Sequence, residues 1–183
     1  MKKVVLTFGL IAGTLSIIFT FLIATLCDWE SIDFGRAELI GYASMIIALS
    51  MIFFGIKSYR DNYAGGKITF WKGVQIGLLI TSIGSVMYVI GGEAYSAFNP
   101  GFAPKVMEKY KEFETNKMKA KGASQAEIDT VMKQMTDMIK MMENPLIRFG
   151  IYIIEIFPVG LIITLLSAAL LRKREVFPDA AVA

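Results

Sequence analysis

The sequence predicts an all-α, polytopic membrane protein, with four transmembrane helices and an extracytoplasmic amphipathic helical hairpin between the third and fourth. Three observations predict it. Apolar stretches at 4–26, 37–56, 73–92 and 146–171 are each about 20 residues or longer, the length a helix rising ~1.5 Å per residue needs to cross a ~30 Å hydrocarbon core. Basic residues gather at alternate ends of these stretches. The one long connection, between the third and fourth stretches, carries helical periodicity but no spanning run.

Composition agrees: 55% of the 183 residues are hydrophobic and mean hydropathy is +0.54. A net charge of +3 is too small to indicate a nucleic-acid partner, and the placement of charge is the more telling quantity. Lys2 and Lys3, then Lys57, Arg60, Lys67 and Lys72, then Arg172, Lys173 and Arg174 face only Asp61, Glu175 and Asp179. The first connection is acidic, with Asp28, Glu30 and Asp33 against Arg36, and Glu38 follows. The positive-inside rule then places both termini and the middle loop in the cytoplasm, as expected for a multi-pass protein of a bacterial cytoplasmic membrane.

The first stretch is expected to stay attached. It begins Met-Lys-Lys as export signals do, but its apolar run is about 23 residues, beyond the h-region of a signal peptide. Leu26 stands before Cys27, where lipoprotein processing would need a small residue. The chain has one Cys and no His, which removes intramolecular disulfides, the commonest general base and the commonest metal ligand. No nucleophile elbow, zinc-protease helix or phosphate-binding glycine loop is present. A non-enzymatic protein without a cofactor is expected.

Small residues recur at helical spacing in two stretches: Gly9 and Gly13 in the first, with Ser16 after them, and Gly73, Gly77, Thr81 and Ser85 in the third. Between helices in lipid, close backbone approach through such residues drives association. Packing within one four-helix bundle and a homo-oligomer face are the two uses open to them. Trp29, Phe34, Tyr42, Tyr95, Phe98 and Tyr152 mark the expected outer interface; Tyr59, Tyr63, Phe70 and Trp71 mark the inner one.

The middle loop contains Gly65-Gly66, a tight-turn signal. The run Gly-Ile-Lys-Ser-Tyr-Arg-Asp-Asn at 55–62, the Gly-Gly-Lys-Ile-Thr-Phe that follows, and the glycine-spaced third stretch resemble the bacterial four-span membrane family catalogued as domain of unknown function 4199. The resemblance is strongest over 41–90. It implies a small integral membrane protein and supplies no activity, ligand or catalytic residue. Lys57, Arg60, Lys67 and Lys72 are either a solvated, inside-positive hairpin or a contact for anionic lipid headgroups.

Glu155 is the carboxyl placed nearest mid-membrane, where an acidic residue costs on the order of 2–4 kcal/mol by insertion scales. Pro158 removes the N–H that would bond the carbonyl of Ile154, so a kink is expected beside it. No Lys or Arg of the spans is expected to pair with Glu155, while Ser82, Ser85, Tyr88 and Ser44 are expected at comparable depth. Two readings follow: a neutral Glu155 hydrogen-bonding a neighbouring helix, or a proton, ion or small-cation site in a polar crevice.

In the long connection, Pro104 suits a first helical turn, Val106, Tyr110 and Phe113 share a face, and Gly122 is placed to end the helix. Ser124 and Glu127 form a capping box opening a second helix, whose stripe is Ile128, Met132, Met135, Ile139 and Met142. Seven of the eleven methionines lie here, with Met132, Met135, Met138 and Met141 at every third position. Thioethers suit Cu(I), yet a three-residue step drifts about 60° around a helix, so the four sulfurs diverge. Adaptable apolar filler is the competing reading.

The expected organisation is 1–98 for the first three spans, 99–145 for the hairpin, and 146–183 for the fourth span and tail. Three functions are open: an accessory membrane protein engaging a membrane or periplasmic partner through the hairpin; a small transporter or ion-conducting subunit using Glu155; and copper handling by the Met-rich helix.

Overall fold

A computed structural model of the chain describes residues 1–26 and 33–172. Trp29, the acids Asp28 and Glu30, Cys27, and the tail residues Lys173 and Arg174 lie outside the described residues. The described residues form seven helices: α1 (Lys2–Leu26), α2 (Phe34–Leu49), α3 (Met51–Tyr63), α4 (Phe70–Phe98), α5 (Phe102–Ala120), α6 (Gln125–Met142) and α7 (Pro145–Leu171). No strand occurs among the described residues. Taking α2 and α3 together, four helices of 25, 30, 29 and 27 residues are long and apolar enough to cross a membrane. The protein is a multi-pass membrane protein.

Each span outruns the apolar stretch that announced it, and polar caps set the start of three of the four. Asp33 accepts from the N–H groups of Gly35 at 2.9 Å and Arg36 at 3.4 Å, so α2 opens at Phe34 rather than at 37. Thr69 accepts from Lys72 N–H at 3.3 Å and opens α4. Asn144 caps α7 through Leu146 N–H at 3.0 Å, with Pro145 in the first helical turn, where its missing N–H is harmless. Gly65 and Gly66, at φ +59° and +78°, make the turn between α3 and α4. The joint between α2 and α3 is Ser50, whose hydroxyl donates to Ile47 O at 2.6 Å. The Phe53 N–H bonds Ser50 O at 3.0 Å, a local three-residue tightening where α2 passes into α3.

Helix α4 is the centre of the bundle. It lies antiparallel to α7, and the small residues of one face the branched residues of the other. A Cβ built on Gly77 would stand 2.5 Å from Thr164 Cγ2, one on Gly160 2.3 Å from Thr81 Cγ2, and one on Gly73 3.0 Å from Ala168 Cβ. Each step of four residues forward on α4 is thus four residues back on α7. Against α1 the pairing is parallel: Gly9 faces Ile83, Gly13 faces Met87, and Gly91 receives Ile17. All four glycines singled out by spacing, Gly9, Gly13, Gly73 and Gly77, therefore seat side chains of this same chain.

At the end bearing the basic residues, Leu49, Ile52, Ile56, Ile76 and Ile80 close a fully buried core, joined by Ile68 and Leu171. Outward-facing Leu39, Ile46, Ile154, Leu166 and Leu170 remain exposed, the apolar coat a lipid-facing bundle requires. Two aromatics expected at the interface pack instead. Tyr95 is only 7% exposed and meets Phe21 and Phe102 edge-to-face at 5.0 and 4.9 Å. Phe34 packs on Tyr110 and Phe113, both at 5.5 Å. Both rings lie where α5 folds over the bundle end and covers them.

Helices α5 and α6 form the expected hairpin. It opens at Phe102, so Pro104 is third in the helix rather than first, still among the N–H groups that lack an intrahelical partner. Gly122, at φ +78°, ends α5 while Ala123 N–H reaches back to Met118 O at 3.1 Å. The capping box is formed: Ser124 accepts from the Glu127 N–H at 3.4 Å, and Glu127 accepts from the Ser124 N–H at 2.7 Å. Lys111 to Thr136, at 2.9 Å, and Thr115 to Met132 Sδ, at 3.3 Å, zip the two helices together.

Candidate functional site

Where the α4–α7 seam is tight, the opposite side of the bundle is not. Residues of α1, α2, α4, α5 and α7 line a half-open cavity of about 530 Å³. Glu155 of α7 lines it, together with Tyr88 of α4 and Ser44 of α2. Helix α1 adds Ser16 and Thr20, and the first turns of α2 add Glu38 and Tyr42. The hairpin side is aromatic: Phe102 and Tyr110 of α5, beside Phe34 of α2.

The serine and threonine hydroxyls of the lining share one chemical character. Ser16 donates its hydroxyl to Ala12 O at 3.0 Å, Thr20 to Ser16 O at 2.9 Å, and Ser44 to Gly41 O at 2.7 Å. Each hydroxyl proton is thereby held by its own helix, leaving oxygen lone pairs as the hydrogen-bonding groups turned to a ligand. Glu155 and Glu38 add carboxylates that have no hydrogen-bond or ion-pair partner among the described residues. None of the lining residues is Lys or Arg. Burial, and after it the Glu114 carboxylate, hold the Tyr110 phenol above its ordinary pKa, so it faces the cavity as a neutral hydroxyl.

Of the residues expected around Glu155, Tyr88 and Ser44 share its cavity. Ser82 does not: it is exposed on the outer face of α4 and donates to Leu78 O at 2.9 Å. Ser85 is buried without lining the cavity, and its hydroxyl has no partner among the described residues. The helix runs on through Pro158, and the interhelical hydrogen bond anticipated for Glu155 is not formed among the described residues.

Sequence reasoning passed over a second feature of this end. Arg148, inside the fourth apolar stretch, grips Glu93 of α4 with two hydrogen bonds, Nε to Oε1 at 2.5 Å and Nη2 to Oε2 at 2.6 Å. Its remaining nitrogen, Nη1, donates to Met142 O at 3.2 Å, so one guanidinium ties α4, α7 and the end of the hairpin. The signal was available as opposite charges at facing ends of two antiparallel spans.

The remaining candidates scatter. Arg60 pairs with Asp61 at 2.6 Å and its side chain is only 15% exposed. Lys72 donates to Gln75 at 3.0 Å, and Lys57 borders a shallow groove with Phe8 and Phe54. The methionines divide: Met132 and Met135 are half-buried in the hairpin, while Met138 and Met141 are 57% and 55% exposed. The four sulfurs do not share one face.

The fold and cavity define a class: multi-pass, all-helical membrane proteins with a half-open cavity beside a helical hairpin, bordered by the exposed Glu155 and Glu38. Residues 7–173 match the family described as Protein of unknown function (DUF4199), and the chain belongs to that family. Searches of curated proteins and of solved structures found no match.

Proposed function

We propose that this is a non-enzymatic membrane protein that admits a small ligand or ion to the cavity beside its hairpin, with the exposed Glu155 of its lining as the acceptor. One observation carries this reading: the intramembrane carboxylate and the hairpin residues Phe102 and Tyr110 line the same cavity. Its volume falls in the ~300–1,000 Å³ range of small-molecule sites. The hairpin is then first a wall of the cavity. The asymmetry of Lys and Arg between the two ends supports a bacterial cytoplasmic membrane, cytoplasmic termini and a periplasmic hairpin.

A second reading keeps the hairpin as an arm for an unidentified membrane or periplasmic protein, and the exposed Met138 and Met141 of α6 favour it. Copper handling has the least support, because the sulfurs diverge.

Cysteine accessibility tests the first reading. In a Cys27→Ser background, Glu155→Cys is labelled in intact cells with a small membrane-impermeant thiol reagent. Rapid labelling is the expected result. A variant that accumulates in the membrane yet resists the reagent removes the water-accessible cavity, and with it this reading.

A further inference from the structure

The lining of the cavity says which ligands it can hold. We propose that the ligand is a lipophilic organic cation, its charge met by Glu155 and Glu38 and its apolar groups by the aromatic side chains of the lining. This rests on the cavity reading above and adds the chemical class.

Charge selects first. Two carboxylates with no hydrogen bond or ion pair among the described residues border one cavity whose lining holds no Lys or Arg, and Lys117, beyond the lining, is the cation whose field reaches Glu38. An anion there would meet two like charges, while a cation gains from both. Hydrogen-bonding polarity selects second. Ser16, Thr20 and Ser44 donate inward to their own helices, so they offer lone pairs to a positive centre. A neutral acceptor ligand would find donors only in the tyrosine hydroxyls. The aromatic faces select third. Phe34, Tyr42, Phe102 and Tyr110 stand on the hairpin side of the same chamber, where ring faces attract a cation and accommodate apolar substituents. A bare metal ion would use the oxygens and leave these rings without a role.

The lining also has a direction. On α7, Arg148 marks the hairpin end and Glu155 lies seven residues further along, about 10 Å deeper at ~1.5 Å per residue. Glu38 lies in the first turns of α2, near the hairpin end. A cation entering from the hairpin end meets Glu38 first and Glu155 deeper.

The test uses the full-length protein in lipid nanodiscs, titrated calorimetrically with tetraphenylphosphonium and with tetraphenylborate, which has the same shape and the opposite charge. Empty nanodiscs correct for partition into lipid. Saturable binding of the phosphonium alone is expected. Glu155→Gln should weaken it about tenfold or more, and Glu38→Gln or Tyr110→Leu about threefold, each tenfold step corresponding to 1.4 kcal/mol. Should Glu155→Gln fail to fold, the phosphonium is expected to protect Ser44→Cys from thiol labelling with Glu155 intact. Equal binding of both ions, or none while Cys at 155 labels freely, overturns the cation assignment and leaves the cavity standing. Failure of Cys at 155 to label removes the cavity reading itself.

Discussion

The two sides of α4 use the same residue types to opposite ends. Against α7, Gly73, Gly77 and Thr81 meet Ala168, Thr164 and Gly160 so closely that a single added methyl would collide. The polar atoms there answer one another: Thr81 donates to Gly77 O at 2.9 Å, and its oxygen lies 3.3 Å from that of Thr164. Around the cavity, Ser16, Ser44 and Gly41 are equally small, but Gly41 has nothing within 4 Å of where a Cβ would stand. Small residues permit close approach without ensuring it. Whether a seam or a chamber results depends on whether another helix presents a side chain at the matching height.

That contrast is broken most severely by the same substitution made on each side. Gly160→Ala forces a methyl to 2.3 Å from Thr81 Cγ2, and Thr81 is a stiff, β-branched neighbour that cannot swing aside cheaply. Overpacking of this kind costs about 1–3 kcal/mol, read as a lower unfolding midpoint and a smaller monodisperse fraction after heating in detergent. Thr81→Ala in the same chain should recover most of the loss, because it removes the two closest atoms. Gly41→Ala should leave the midpoint unchanged or slightly raised, since alanine is the better helix former. Equal losses at 160 and 41 would mean that the chamber side is packed as tightly as the seam.

The next test lies where seam and chamber meet. Arg148 and Glu93 close the hairpin end of the α4–α7 contact, with side chains 29% and 38% exposed. Partial solvent screening keeps such a pair modest, about 1 kcal/mol even with two-point geometry. Arg148→Gln is expected to lower stability by that amount and to speed hydrogen exchange through 99–145, because the bond to Met142 O goes with it. Exchanging the two charges, Glu93→Arg with Arg148→Glu, should restore the midpoint but not the hairpin's protection. A full recovery of both would show that the pair holds the spans alone.

The four spans were legible in the sequence because membrane crossing imposes length and apolarity residue by residue. Caps were legible too, since Ser124 and Glu127 act within one turn. The seam was half legible: spacing marked Gly73 and Gly77, but their partners Thr164 and Ala168 sit in a span whose own small residues looked unremarkable. The chamber was not legible. Glu155 announced itself by depth, yet its neighbours in the cavity come from four other helices, and depth alone put Ser82 beside it when the turn of α4 points that side chain outward. Arg148 escaped notice because a single charge near a span's end is ordinary until its counterpart is found more than fifty residues away.

The smallest effect sharpens the comparison from outside the bundle, at a helix end that neither seam nor chamber supports. Glu127 receives hydrogen bonds from the backbone N–H and the hydroxyl of Ser124, at 2.7 and 2.8 Å, and these hold its carboxyl below the ordinary glutamate range. Because the native pKa is depressed, the contribution of the charged form is complete above the pKa of a free glutamate. It is lost as pH falls through the lower native value. The start of α6 should therefore lose protection as pH falls from the range of a free glutamate through the lower native value, measured as exchange normalised to the intrinsic rate, while the core around Ile76 and Ile80 is unaffected over that interval. Glu127→Gln separates charge from geometry. Glutamine can still reach back to the Ser124 N–H, so it should keep part of the protection and lose its dependence on pH. A dependence that survives in Glu127→Gln would assign the titration to another carboxylate of the hairpin, and Ser124→Ala, which removes the hydroxyl but not the charge, would then leave it unchanged as well.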